Sequence, residues 1–175
     1  SPITVSVSPS ASTTYTIASL SDSRCTSIAA DLSGSATVTV NPRPTAVISG
    51  TPTICNGGAA NITITLNGVG PWSGTLSNGQ TFSGATSPIT VSVSPSVSTT
   101  YTIASLSDSR CTSIAADLSG TATVSVNARP TGVISGTATI CNGGSTNLTI
   151  TLTGSGPWSG TLSSGQTFSG ATSPI

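Results

Sequence analysis

The sequence predicts an all-β fold, built as tandem β-sandwiches of about seven strands on an 86-residue repeat. Three observations carry this. Val, Ile and Ala alternate with Ser and Thr in short runs, the pattern of half-buried strands. Turn signals recur at a spacing of about 8–12 residues, as in a two-sheet sandwich. The segment SPITVSVSPS begins at Ser1 and again at Ser87, and SPI returns at Ser173. That period is too long for a solenoid coil and suits a small domain repeated whole.

The repeat is cut out of phase with the domain. Arg43-Pro44-Thr45 and Arg129-Pro130-Thr131 each follow a strand-like run, ATVTVN and ATVSVN. Proline holds the residue before it extended, so both triplets read as short, stiff hinges. Residues 1–42 are then the C-terminal half of one repeat, 43–127 a complete repeat, and 128–175 the N-terminal half of the next. The chain opens and closes inside a strand pattern with no signal peptide, as expected of a piece of a longer polypeptide.

Within the complete repeat the strands follow in order. TAVISGTPTI (45–54) is the first, and CNGG (55–58) its turn. NITITL (61–66) alternates strictly and is the second. WSGTL (72–76) and TFSG (81–84) form a hairpin, for which Asn78-Gly79 suits a type I′ turn. ITVSVS (89–94), TYTIASLS (100–107) and ATVSV (122–126) complete seven, the count of an immunoglobulin-like sandwich.

The large side chains fit a core. Trp72 and Trp158 open the third strand, where a sandwich buries its largest residue, with Phe82 and Phe168 across the hairpin. The competing use of these tryptophans is a stacking platform for a sugar. Tyr15 and Tyr101 open the sixth strand in the position of a tyrosine corner.

Catalysis has little to work with. Charged residues make up 5% of the chain, four Arg and four Asp, with no His and no net charge. Without His, Lys or Glu no ordinary general base is at hand, and the scattered aspartates compose no metal loop, so no catalytic residue, metal or cofactor is expected. Zero net charge gathers no nucleic acid, and no apolar run is long enough to insert in a membrane. Asp108 is expected to pair locally with Arg110. The sequons at Asn61 and Asn147 fall in strand-like sequence and read as incidental.

Four cysteines, Cys25, Cys55, Cys111 and Cys141, are disulfide candidates, and they suit an oxidising exterior. A Cys55–Cys111 bond within the repeat would stabilise it by roughly 4 kcal/mol. Strand parity instead puts Cys55 at the trailing pole and Cys111 at the leading pole, which favours bonds between neighbouring domains. Both pairings stand at this point, with free buried thiols as the third reading. The loop after Cys111, with Ile114 and Leu118 (Ile28 and Leu32 in the earlier copy), either contacts a neighbour beside the Arg43-Pro44 and Arg129-Pro130 hinges or caps its own sandwich.

TICNGG, GPWSGTLS, SPITVSVSPS-STTYTI and SLSDSRC together resemble the immunoglobulin-like repeats of giant secreted adhesins of Bacteroidetes, the type IX-exported gliding and biofilm adhesins. The resemblance spans essentially the whole chain and implies a structural repeat of an extracellular filament or stalk at the bacterial surface. It implies neighbouring repeats as partners, with a surface glycan or an abiotic surface beyond them, and no shared ligand site. A carbohydrate-binding array, or a pilin-like subunit completed by a neighbouring chain, are the alternatives.

Overall fold

A computed structural model describes residues 2–175; Ser1, where the first repeat copy opens, lies outside the described residues. The fold is all-β. Its described helical content is two single 3-10 turns, Ala29–Asp31 and Ala115–Asp117.

In the leading segment β1 (Thr13–Tyr15) pairs antiparallel with β2 (Ala36–Val38). The stretch read as one strand over 45–54 is two, β3 (Thr45–Ser49) and β4 (Thr53–Cys55). Gly50, at φ +134°, and Pro52 interrupt it. β5 (Ala60–Asn67), β6 (Trp72–Leu76), β7 (Thr81–Gly84) and β8 (Ile89–Val93) fall where alternation placed them. The run TYTIASLS also divides, into β9 (Thr99–Tyr101) and β10 (Ile103–Ser107). A short β11 (Leu118–Gly120), without a counterpart in the sequence reading, precedes β12 (Ala122–Asn127). The trailing segment repeats the opening pattern as β13 (Thr131–Ser135), β14 (Thr149–Thr153), β15 (Trp158–Thr161) and β16 (Thr167–Gly170).

The β6–β7 connection is a hairpin but not a type I′ turn. That type needs positive φ at both central residues, and no non-glycine described has it. Gly79 alone is left-handed, at φ +85°. Its N–H donates to the Leu76 carbonyl and the Leu76 N–H to that of Gln80. This is a type I turn closed by a glycine bulge, and Gly165 repeats it between β15 and β16.

Two compact units divide the chain. Among the described residues the first comprises 2–49, 63–91 and 101–122. It contains the sheet β10-β6-β7 and most of the sheet β11-β3-β5-β8. β3 and β5 are antiparallel with Ile48 opposite Ile64, and β11 joins β3 in parallel, Leu118 opposite Ala46. Each sheet buries one face, as a sandwich requires. Ala60, Ile62, Ile64 and Leu66 point inward along β5 while Asn61 and Thr65 face water. In β10 the register with β6 shifts between Ile103 and Ser105. That bulge lets Ile103 and Leu106, three apart, share the buried face.

The second unit comprises residues 50–62, 92–100 and 123–175. It holds most of the sheet β4-β12-β9, in which β4 runs parallel to β12 with Cys55 opposite Asn127. It also holds the hairpins β13-β14 and β15-β16. Ile150 exchanges both backbone hydrogen bonds with Ile175, as the first residue of a strand continuing β8's pattern would.

Candidate assembly interface

The leading hinge is tied to the loop that follows Cys111. Arg43 donates its Nε–H to Asp117 Oδ2 at 2.8 Å, the one ion pair among the described residues. The same oxygen accepts the Ile114 N–H at 2.9 Å, closing the 3-10 turn. The Arg43 guanidinium first, and the Ile114 amide after it, hold the Asp117 carboxyl below the usual carboxylate range. Pro44 is fully buried. The loop therefore reaches the hinge through a charged contact. Ile114 stays half exposed, while Leu118 folds back into its own sheet through β11. Ile28 and Leu32 repeat this, exposed and half-buried. At the second hinge Arg129 donates Nε–H to the Asn56 carbonyl at 2.6 Å, with Pro130 exposed.

Asp108 does not form the expected ion pair with Arg110. Its Oδ1 accepts the backbone N–H groups of Arg110 at 2.8 Å and Cys111 at 2.7 Å, and its Oδ2 that of Val69 at 3.1 Å. A short acidic side chain reaches its own turn's amides more readily than a guanidinium two residues on. Those three amides lower its carboxyl's pKa, Val69 most. The Arg110 guanidinium turns instead to Asn41 Oδ1, at 3.5 Å.

All four cysteines are free thiols; the Cys55–Cys111 bond is not formed. Each of these two has an asparagine for its neighbour. Cys111 Sγ donates to the Asn41 carbonyl at 3.7 Å. Cys55 stands in register with Asn127. Asn41 and Asn127 are the same position of the repeat, 86 residues apart.

The aromatic residues of the central period are buried: Trp72, Phe82 and Tyr101 are all below a tenth exposed. Their copies Trp158, Phe168 and Tyr15 are half-buried. The Tyr101 hydroxyl makes no hydrogen bond among the described residues, so the tyrosine sits in the core without the expected corner bond. The indole N–H groups of Trp72 and Trp158 are buried without a partner.

The feature that alternation does not announce is a pair of uncovered faces. In the leading segment Val5, Val7, Tyr15, Ile17, Ala36 and Val38 line an open apolar groove. One period later the same residues are Val91, Val93, Tyr101, Ile103, Ala122 and Val124, all buried. Val5 is 77% exposed against 6% for Val91, and Ile17 56% against 8% for Ile103. The trailing segment shows the converse. Ile134 is 53% exposed against 1% for Ile48, and Leu148 46% against 0% for Ile62. Residues one period apart are near-identical in sequence, and only the structure shows that their burial differs.

No known family model matches the chain, and comparison with curated proteins finds no match.

Proposed function

We propose that the chain is a structural repeat of an extracellular adhesive filament or stalk at a bacterial surface, made of tandem immunoglobulin-like sandwiches. The observation that carries the reading is the repeat of a whole sandwich: residues 43–127 bury a core of their own, and near-identical sequence recurs on either side of them. The Arg-Pro-Thr triplet supports it. Arg43 pairs with Asp117 and Pro44 is buried, so the triplet is pinned to the sandwich that follows it, which suits a stiff connection in an array. The motif resemblance to secreted adhesin repeats points the same way, as do two arginines and no lysine per period, which leave few sites for trypsin-like proteases. The burial of Trp72 speaks against a tryptophan sugar platform.

An antibody raised against the central repeat tests this on intact, unpermeabilised cells that make the protein. Labelling of filaments outside the cell is expected; signal seen only after permeabilisation would overturn the reading.

A further inference from the structure

We infer that Asn56 is a self-modifying residue: its side chain closes onto the Gly57 nitrogen, and water opens the ring to leave a carboxylate beside Arg129. The inference goes beyond the filament reading and does not rest on it.

Asn-Gly is the dipeptide best suited to this chemistry, because glycine has no side chain to hinder its own nitrogen as a nucleophile. The chain holds four, at Asn56, Asn67, Asn78 and Asn142. The fold treats them differently. Asn78 is tied at both reacting ends: its Oδ1 accepts the Gln80 N–H at 3.1 Å, and the Gly79 N–H donates to the Leu76 carbonyl at 2.9 Å. Asn67 is the last residue of β5, in register with Thr45. Its side chain cannot close a five-membered ring onto the next nitrogen without leaving the extended strand.

Asn56 sits in the turn between β4 and β5. Its backbone N–H donates to the Asn127 carbonyl at 2.9 Å, and the Gly58 N–H to the Cys55 carbonyl at 2.8 Å. Those bonds hold the turn and leave the reacting groups alone. Among the described residues neither the Asn56 carboxamide nor the Gly57 N–H has a hydrogen-bond partner. Arg129 supplies the activation. Its Nε–H donates to the Asn56 carbonyl oxygen at 2.6 Å, and its Nη2 stands 3.2 Å from where a Gly57 Cβ would be. That oxygen and the Gly57 nitrogen belong to one peptide group. When the nitrogen loses its proton the negative charge is shared with the oxygen, and a cation donating there stabilises it.

The steps balance. Hydroxide takes the Gly57 amide proton, and the nitrogen attacks Asn56 Cγ. The bond from Cγ to the side-chain nitrogen breaks, and that nitrogen leaves as ammonia after taking up a proton. Water then opens the succinimide at either carbonyl, giving aspartate or isoaspartate. The new carboxylate lies on the residue whose carbonyl Arg129 already holds. The turn and the second Arg-Pro-Thr triplet thereby gain an ion pair, in a chain whose one such pair among the described residues is Arg43–Asp117.

Incubation of the purified chain at mildly alkaline pH tests this, with all four sites followed by peptide mass and isoaspartyl methyltransferase labelling. Asn56 is expected to convert first in the folded chain, and all four sites to convert alike in urea. Arg129→Gln is expected to slow Asn56 about tenfold, the worth of a hydrogen bond to a charged group. That rate should match Asn142, whose copy of the turn has open space where Arg129 stands. An unchanged Asn78 rate in the variant reports that its fold is intact. Asn67 or Asn78 converting ahead of Asn56 would overturn the proposal, as would an Asn56 rate indifferent to Arg129→Gln. Asn56→Asp, which supplies the product, is expected to protect Arg129 from phenylglyoxal; equal reactivity in wild type and variant would overturn the ion pair.

Discussion

Asp108 and Asp117 do more at residue scale than two of the chain's four acids would suggest. Both carboxyls are held below the usual range, Asp117 by Arg43 and the Ile114 amide, Asp108 by the amides of Val69, Arg110 and Cys111. A carboxyl whose folded pKa is depressed contributes stability above its unfolded pKa of about 4, and loses it as pH falls through the lower folded value. Urea midpoints are therefore expected to hold flat from neutral pH down to about 5 and to fall below about 4. The double variant Asp108→Asn, Asp117→Asn is expected to flatten that acid limb; an unchanged limb would remove these two groups as its cause. The sequence showed the acids but paired one with the wrong group. Nothing in the order Asp-Ser-Arg-Cys says that a short side chain will turn to its own backbone, and Arg43 lies 74 residues from Asp117.

Elements inherit their stability from what covers them. Leu106 in β10 is fully buried, and its copy Leu20 is 59% exposed. Leu106→Ala is expected to cost about 2–5 kcal/mol in chemical denaturation. Leu20→Ala in the dilute chain is expected to stay within about 0.5 kcal/mol. Equal costs would mean that the leading face is covered after all. Gly120 makes a similar contrast. It sits at φ +82° in β11, where a Cβ would run into the Ile48 backbone, whereas Gly34 at φ +89° has open space. Gly120→Ala is expected to destabilise by about 1–3 kcal/mol, and more than Gly34→Ala, if β11 holds its place beside β3 in solution. Alternation located β5 through β8 and β12 to within a residue or so, because each buries one face along its length. It could not say that 45–54 and 100–107 each divide between sheets. A period-two pattern marks a strand, not its partner, and only Gly50 and Pro52 hinted at the first break. β11 was missed because three residues carry no period.

For the whole molecule, the claim is that burial is concentrated between Ala46 and Val124, while copies of the same residues on either side stay more open. The sequence carries the repeat itself, in SPITVSVSPS at Ser1 and again at Ser87. What the repeat could not show is that identical residues would be core in one copy and surface in another, because burial depends on what lies opposite. Native-state hydrogen exchange on the dilute, reduced chain tests this most directly. The slowest amides are expected in β5, β6, β8, β10 and β12, sharing one opening free energy, while Thr13–Tyr15, Ala36–Val38 and the trailing strands exchange far faster. Equal protection from the leading segment through to the trailing one would contradict it.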